Sequence, residues 1–334
     1  MLVNVLLFAL GLIMLIKGGD WFVDGASAIA RRFKLPELLI GATVVSIGTT
    51  LPEVMVSVQG AIAGSGGMAY GNAIGSIICN TSLIAALTVA IRPNKIERRS
   101  LLLPVSFFFA AAAFYSMIAY FTGRFDRWVG VVLLAMFVCY MAVTFWQMKK
   151  TPASELDGYV DGVPEEVQEE IEEAKKKPTI VKDLVLLIIG AALIAVGARL
   201  LVDNGTAIAE TLGVPDTVIA LTFVALGTSL PELVTAITAL IKGHGALSLG
   251  NVIGANLFNL VLVAGASTVI SPFPVPSESI LAGHPASLVL DIPVMLGVML
   301  LLTVPALIRG KLSRVQGILL LCVYAAFCTL QFVI

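Results

Sequence analysis

The stretch GTTLPE (Gly48 to Glu53) lies inside a long apolar run, and it recurs 179 residues later as GTSLPE (Gly227 to Glu232). Each copy ends in a carboxylate within a segment that is otherwise apolar. Further matches lie at the same offset: GNAIG (71–75) with GNVIG (250–254), Asn80 with Asn259, Pro36 with Pro215, and Asp24 with Asp203. No gap is needed from about residue 18 to residue 80. The chain is therefore a tandem duplication.

Composition places both halves in a membrane. Of 334 residues, 58% are hydrophobic and 13% are charged, and the mean hydropathy is +0.98. Soluble proteins carry about 25% charged residues. The apolar residues come in runs of roughly 20, which is the length of a helix that crosses a bilayer. The net charge of −1 gives no indication of nucleic-acid binding. The fold class predicted is an all-α polytopic membrane protein.

The apolar runs predict ten transmembrane helices. We number these spans 1 to 10, and they cover residues 3–30, 38–64, 69–91, 100–122, 127–147, 180–210, 216–241, 246–270, 286–308 and 312–333. The first run has no cationic segment before it and no small-residue cleavage site after it, so we interpret it as a membrane helix rather than a signal peptide.

Lysine and arginine residues predict the orientation. Alternate loops hold 17 of the 21 basic residues, and the opposite loops hold only Arg124 and Arg127. The basic loops should face the cytoplasm, because positively charged loops stay on that side. Both termini are then extracellular. The predicted location is the plasma membrane, with the chain crossing it several times.

The odd number of spans in each half predicts that the halves have opposite topology. Five helices per half make residues 1–147 and 180–334 two inverted five-helix repeats, joined by a cytoplasmic linker at 148–179 that suits a short exposed helix. Secondary transporters have this architecture, with their site near the midplane on interrupted helices. The sequence therefore predicts a transporter and not an enzyme. No catalytic Ser/His or Cys/His constellation and no HExxH motif is present.

Glu53 and Glu232 are the strongest candidates for the site. An ionised side chain in the membrane costs several kcal/mol unless it is paired, so a carboxylate there indicates function. Pro52 and Pro231 lack an N–H and should interrupt the helix. The interruption should free the carbonyl groups of four nearby residues, and two hydroxyl groups lie beside them. The carbonyl set is Ser46, Thr49, Ala225 and Thr228, and the hydroxyls belong to Thr50 and Ser229.

These donors are hard oxygen ligands, which calcium and sodium prefer. The two glutamates would be neutralised by one calcium ion, two sodium ions or two protons. Asn72, Asn80, Asn251 and Asn259 are polar residues at membrane depth. Asn80 and Asn259 are predicted to line the site. For Asn72 and Asn251, a role in the site and a role as a hydrogen bond between helices stay equally open.

At these motifs the sequence resembles the cation/calcium antiporter superfamily, and most closely the prokaryotic sodium/calcium exchangers. GTTLPE and GTSLPE match the two alpha-repeat signatures, and GNAIGS and GNVIGA match their second halves. The resemblance covers nearly the whole chain. It implies that spans 2, 3, 7 and 8 form the ion-binding core, and that spans 1 and 6 slide across this core to alternate access.

The resemblance also implies roles for individual residues. Glu53 and Glu232 would bind calcium, helped by the carbonyl groups of Thr49 and Thr228, and Asn80 would lie at the central site. Sodium would use the same glutamates together with Ser46, Thr50, Ser76, Ala225 and Ser229.

Two positions depart from the sodium/calcium pattern. The counterpart of Ser76 is Ala255, which removes one hydroxyl ligand. Asn259 stands where this family often has aspartate, and the proton/calcium branch has asparagine in both halves. We therefore expect an antiporter that exchanges sodium for calcium and extrudes calcium, with proton/calcium exchange as the alternative. Its partners would be these ions and the lipid bilayer, without a cofactor, a nucleic acid or an obligate protein partner.

Overall fold

Ten helices follow one another along the chain in a computed structural model, which describes residues 2–33, 35–64, 66–93, 96–150, 180–212, 227–277 and 279–333. The first five are α1 (Leu2–Arg32), α2 (Glu37–Ile62), α3 (Gly66–Ile91), α4 (Arg98–Thr122) and α5 (Arg127–Lys150). The second five are α6 (Ile180–Thr211), α7 (Leu230–Ile241), α8 (Gly245–Ile270), α9 (Ser287–Arg309) and α10 (Arg314–Val333).

In the described part of the chain, nine of these helices are long and apolar enough to cross a membrane. The remaining one, α7, has 12 described residues, and residues 216–226 of its predicted span lie outside the described residues. The prediction of an all-α polytopic membrane protein is confirmed. Residues 151–179 of the predicted linker also lie outside the described residues, and α5 continues to Lys150, past the predicted start of the linker.

Helices α1 and α6 hold equivalent places in the two repeats and pack against each other in opposite directions. A Cβ atom added at Gly11 would lie 2.8 Å from the carbonyl oxygen of Gly197, and one added at Gly18 would lie 2.9 Å from that of Gly190. Residues 11 and 18 correspond to 190 and 197 at the repeat offset, so exchanging the two repeats maps these contacts onto each other. We call this contact the glycine seam. Its antiparallel direction is the one that an inverted repeat predicts.

The described parts of the basic loops lie at one end of the bundle. Arg32 at the end of α1 pairs with Asp183 at the start of α6, at 2.9 Å. The loop before α4 bonds the loop after α9 through the Ile96 amide and the Gly310 carbonyl, at 2.9 Å. At the opposite end, strand β1 (Arg124–Phe125) pairs with β2 (Phe273–Pro274), next to the hairpin of β3 (Ile280–Leu281) and β4 (His284–Pro285).

Helices α3 and α8 form the centre of the bundle. In their most apolar segments, 72% and 78% of the residues are buried, against 22% for α1 and 28% for α6. Each contains a π-helical segment, Asn80–Ala85 in α3 and Asn259–Ala264 in α8. These segments correspond to each other residue by residue at the repeat offset. Short π-helical segments within α-helices are frequent at functional sites.

The predicted interruption of the second span is wrong in its position. Ser46–Ile62 is continuous α-helix with Pro52 inside it, and the irregular stretch is a π-helix at Gly41–Val45, just before it. A proline removes only its own N–H, which leaves the carbonyl group of Gly48 without its usual partner. The second copy follows the prediction more closely, since Thr228 and Ser229 form a turn and α7 begins at Leu230.

Candidate cation-binding site

Glu53 on α2 and Glu232 on α7 are both 0% exposed. All four of their carboxylate oxygens lack a hydrogen-bond partner among the described residues. A buried charge without a partner costs several kcal/mol, and proteins offset this cost with a counter-charge or a metal ion. Because both carboxylates are in this condition, the site has the chemistry of a receptor for a cation.

The two glutamates belong to one site. Their carboxyl groups lie close enough to repel each other when both are charged. The hydroxyl group of Thr49 lies beside the Glu232 carboxylate, so α2 of the first repeat contributes directly to the glutamate of the second. A cation between the two carboxylates would remove both the repulsion and the cost of burial.

Asn80 and Asn259 begin the two π-helical segments, and both are fully buried. Neither the oxygen nor the nitrogen of either amide has a hydrogen-bond partner in the described part of the chain. Buried amides are normally hydrogen-bonded, so two such side chains at equivalent positions need an explanation. A cation coordinated by the two amide oxygens would explain why these oxygens have no protein donor.

The repeats assemble the site crosswise. The π-helical segment that begins at Asn80 contacts α7, which carries Glu232, and the segment that begins at Asn259 contacts α2, which carries Glu53. Each repeat therefore supplies an asparagine segment to the glutamate helix of the other. The candidate site thus draws on elements of both repeats.

The predicted hydroxyl ligands differ in their surroundings. Thr50 is fully buried, and its hydroxyl group has no partner among the described residues. Ser229 and Ser76 are buried, and Thr228 is half-buried. The Oγ atom of Ser46 lies 2.7 Å from the carbonyl oxygen of Gly41 and 2.9 Å from that of Asn251, so this hydroxyl already has protein partners. The remaining predicted ligand is Ala225, which lies outside the described residues.

Asn72 and Asn251 are counterparts with different contacts. The Asn72 amide donates to the Ser57 hydroxyl at 2.7 Å and to the Glu53 carbonyl at 3.2 Å, so it joins α3 to α2 as a hydrogen bond between helices. The counterpart of Ser57 is Ala236, which offers no hydroxyl group. Asn251 instead receives the Thr49 hydroxyl on its Oδ1 at 3.2 Å, and its Nδ2 has no described partner.

Asn251 is the residue of the site that the sequence prediction left open. Its side chain touches Thr49 and Ser46, two of the predicted ligands, across the boundary between the repeats. The aligned repeats contain a signal that could have found it. In the first repeat Ser57 bonds Asn72, but the counterpart of Ser57 in the second repeat is Ala236, so Asn251 has no equivalent partner there.

Replacing Asn251 by leucine is expected to weaken calcium binding about tenfold. Leucine has a similar size but cannot accept the Thr49 hydroxyl, which then loses the partner that orients it beside Glu232. Titration of calcium binding to the purified protein measures the change. Asn72→Leu is the matched control, since it removes a hydrogen bond between helices and leaves Thr49 in place. An equal loss in both variants would contradict a specific role for Asn251.

The donor set is made of hard oxygen atoms. Two carboxylates, hydroxyl groups and amide oxygens suit calcium and sodium. The described residues contain no group of three or more His, Cys, Asp or Glu side chains that could hold a metal ion.

A family model described as "Sodium/calcium exchanger protein" matches residues 3–146 and 182–333. Sodium/calcium exchanger MaX1 of Methanosarcina acetivorans is 31% identical over 359 residues, which cover 99% of each chain. Putative antiporter CaxA of Alkalimonas amylolytica is 33% identical, also over 99% of each chain. An uncharacterised membrane protein of Methanocaldococcus jannaschii is 37% identical and covers 95% of this chain and 94% of its own.

Solved structures of the sodium-calcium exchanger NCX_Mj match over 97% of both chains at 34% identity. The TM-score is 0.75 for the crystal soaked with 2.5 mM Na⁺ and 0.1 mM Ca²⁺, and 0.78 for the one soaked with 2.5 mM Na⁺ and 0.1 mM Sr²⁺. The sodium/calcium exchangers among these relatives transport their ions and are not enzymes, so the prediction that the chain is not an enzyme is confirmed. The resemblance seen in the two motifs is confirmed as well. The chain is a multi-pass membrane protein that belongs to the sodium/calcium exchanger family.

Proposed function

We propose that this protein is a secondary antiporter that exchanges sodium for calcium by alternating access and extrudes calcium from the cell. The observation that carries the proposal is the pair of buried glutamates, whose four carboxylate oxygens have no hydrogen-bond partner among the described residues. One calcium ion or two sodium ions would neutralise the pair. The names of the exchangers that the chain resembles support the same ions.

Calcium would bind Glu53 and Glu232, with the carbonyl groups of Thr49 and Thr228. Sodium would use these glutamates with the hydroxyl groups of Thr50, Ser76 and Ser229, and with the backbone near Ser46 and Ala225. Asn80 and Asn259 would complete the coordination from the two π-helical segments. The site must always hold either calcium or sodium, because an empty site would leave the two buried glutamate charges without a counter-charge. This requirement is what couples the two fluxes.

Helices α1 and α6 would move across the site as one body. The glycine seam brings their backbones into contact, which joins them more closely than either is joined to the core. Phe22 and Ala191 of this pair face Thr49, Pro52 and Pro231 across a gap too small to hold a water molecule. Phe22 also covers Gly48, where an added Cβ would lie 3.0 Å from its ring.

The orientation proposed places the basic loops and the linker in the cytoplasm and both termini outside. It rests on the excess of lysine and arginine in one set of loops. The structure supports it, since the described parts of these loops lie at one end of the bundle.

Calcium-45 uptake into proteoliposomes tests the proposal. Vesicles loaded with sodium at matched pH should take up calcium, and vesicles with a proton gradient and no sodium should not. Vesicles that carry the double variant Glu53→Gln, Glu232→Gln serve as the background. Uptake driven by the proton gradient alone would contradict sodium coupling and favour proton/calcium exchange. Two features favour this second function: Ala255 lacks the hydroxyl group of its counterpart Ser76, and position 259 is an asparagine.

Replacing Ala255 by serine is expected to lower the sodium concentration for half-maximal uptake about fivefold. The change restores the hydroxyl group that Ser76 provides in the first repeat, and one such ligand contributes about 1 kcal/mol. Sodium titration of calcium-45 uptake measures it. Ala306→Ser is the control, because Ala306 is equally buried but lies on α9. An unchanged sodium response in Ala255→Ser would show that the second repeat does not use this position.

A further inference from the structure

A charged turn connects α7 to α8 at the end of the bundle that carries the basic loops. It consists of Lys242, Gly243 and His244. Gly243 has a φ of +83°, which glycine adopts without strain, and the amide of His244 bonds the carbonyl of Ala239 at 2.7 Å. The turn therefore closes the end of α7 and holds the Lys242 side chain in a defined direction.

Lys242 reaches across to α1. Its ammonium group donates to the Asp24 carboxylate at 2.7 Å and to the backbone carbonyl of Asp20 at 3.1 Å, and it lies 3.5 Å from the Asp20 carboxylate. In the same turn, Nδ1 of His244 lies 2.7 Å from the carboxylate of Glu37, at the start of α2. Two side chains of one turn thus contact α1 and α2.

A glycine forms part of the contact between α1 and α7. A Cβ added at Gly19 would lie 2.8 Å from the side chains of both Val234 and Thr238, so the two helices meet there without an interlocking side chain on α1. Lys242 adds an ion pair between the α7–α8 turn and α1 at this end.

The first repeat has the same turn without the charge. The counterparts of Lys242 and Gly243 are Ala63 and Gly64, and Gly64 has a φ of +79°, so the backbone shape is retained. The counterparts of Asp20 and Asp24 are Arg199 and Asp203, which lie 3.5 Å apart within α6. An alanine side chain cannot pair with either of them.

We propose that Lys242 is a latch that holds α1 against the α7–α8 turn and stabilises one of the two access states over the other. This inference rests on the proposed alternating access. In an inverted repeat, the two states exchange the arrangements of the repeats, so the contact of Lys242 in one state corresponds to the contact of Ala63 in the other. Only the contact of Lys242 contains an ion pair, and this ion pair keeps the cytoplasmic end closed.

The first test measures the half-maximal calcium concentration on each face of the full-length protein in proteoliposomes. Lys242→Met should lower it on the cytoplasmic face and raise it on the outer face, changing the ratio between the faces about three- to tenfold. Asp24→Asn should act in the same direction and add little to Lys242→Met, because the two residues share one interaction.

Arg32→Met is the matched control. It breaks an ion pair of similar length, but that pair joins α1 to α6, which move together, so the ratio should stay at the wild-type value. An unchanged ratio in Lys242→Met would overturn the latch. The same change in Arg32→Met would also overturn it, since the effect would then come from the loss of any charge on this surface.

A second test does not require transport. Spin labels at Phe33→Cys on the end of α1 and at Arg314→Cys at the start of α10 report the position of α1 relative to the core, after the four native cysteines are replaced. Lys242→Met should increase the population of a second distance in electron spin resonance. An unchanged distribution overturns the latch, whatever the transport assay gives. A shift in a protein that moves no calcium would support the latch while refuting the proposed function.

Discussion

Calcium-45 uptake is expected to fall at least a hundredfold when either Glu53 or Glu232 is replaced by glutamine. Glutamine keeps the size of the side chain and one oxygen ligand but removes a charge, so the site carries −1 instead of −2. Calcium then leaves an uncompensated positive charge in a fully buried site. The loss should appear in the affinity for calcium as well as in the uptake rate, because the charge acts on the bound ion.

The control for this experiment is Asp126→Asn, which makes the same chemical change in an exposed loop. Asp126 pairs with Arg124 at 2.8 Å, and both side chains are about half exposed, so its loss should change uptake less than twofold. Wild-type uptake in both glutamate variants would refute the site. Loss in only one of them would show that the two repeats contribute unequally.

Replacing Gly254 by alanine is expected to destabilise the protein by about 3 kcal/mol and to abolish exchange. An added Cβ would lie 2.5 Å from the Cα of Ala42 and 2.7 Å from its carbonyl oxygen, and it would overlap the Ser46 hydroxyl. Backbone atoms cannot turn aside as a side chain can, so α8 must move away from α2. Asn251, three residues earlier on α8, would then lose its contact with Thr49.

Thermal unfolding in detergent and calcium-45 uptake in proteoliposomes measure the two effects. Gly297→Ala is the control, because Gly297 lies inside α9 and an added Cβ would meet none of the described residues within 4 Å. That change should be neutral or slightly stabilising, since alanine favours helix more than glycine does. Normal stability and normal uptake in Gly254→Ala would show that α2 and α8 are not in close backbone contact.

The sequence alone predicted the general architecture and the chemistry of the site. The duplication follows from matches such as Asn80 with Asn259, and the membrane class follows from apolar runs whose length is fixed by the bilayer. Glu53 and Glu232 were identifiable because a carboxylate inside an apolar run is costly and therefore rare. These inferences depend only on the identity of single residues and on the spacing between them, and both can be read from the sequence.

Other features depend on packing between distant segments. The helix was expected to break at Pro52, but its irregular turns lie at Gly41–Val45, where α8 packs directly against the backbone of α2. The role of Asn251 depends on contacts with residues more than 200 positions away. The crosswise assembly, in which the asparagine segment of each repeat contacts the glutamate helix of the other, also depends on the arrangement of helices in space.

The glycine seam between α1 and α6 has a consequence for the origin of the chain. A Cβ added at Gly11 would lie 2.8 Å from the carbonyl oxygen of Gly197, and a Cβ added at Gly197 would lie 2.8 Å from the carbonyl oxygen of Gly11. The repeat offset maps this pair of glycines onto Gly190 and Gly18. The seam is therefore isologous, like the interface of a twofold homodimer. A half-length protein that inserted into the membrane in both orientations would form the same seam with a second copy of itself. Gene fusion would then have preserved an existing dimer and freed turns such as Ala63 and Lys242 to diverge.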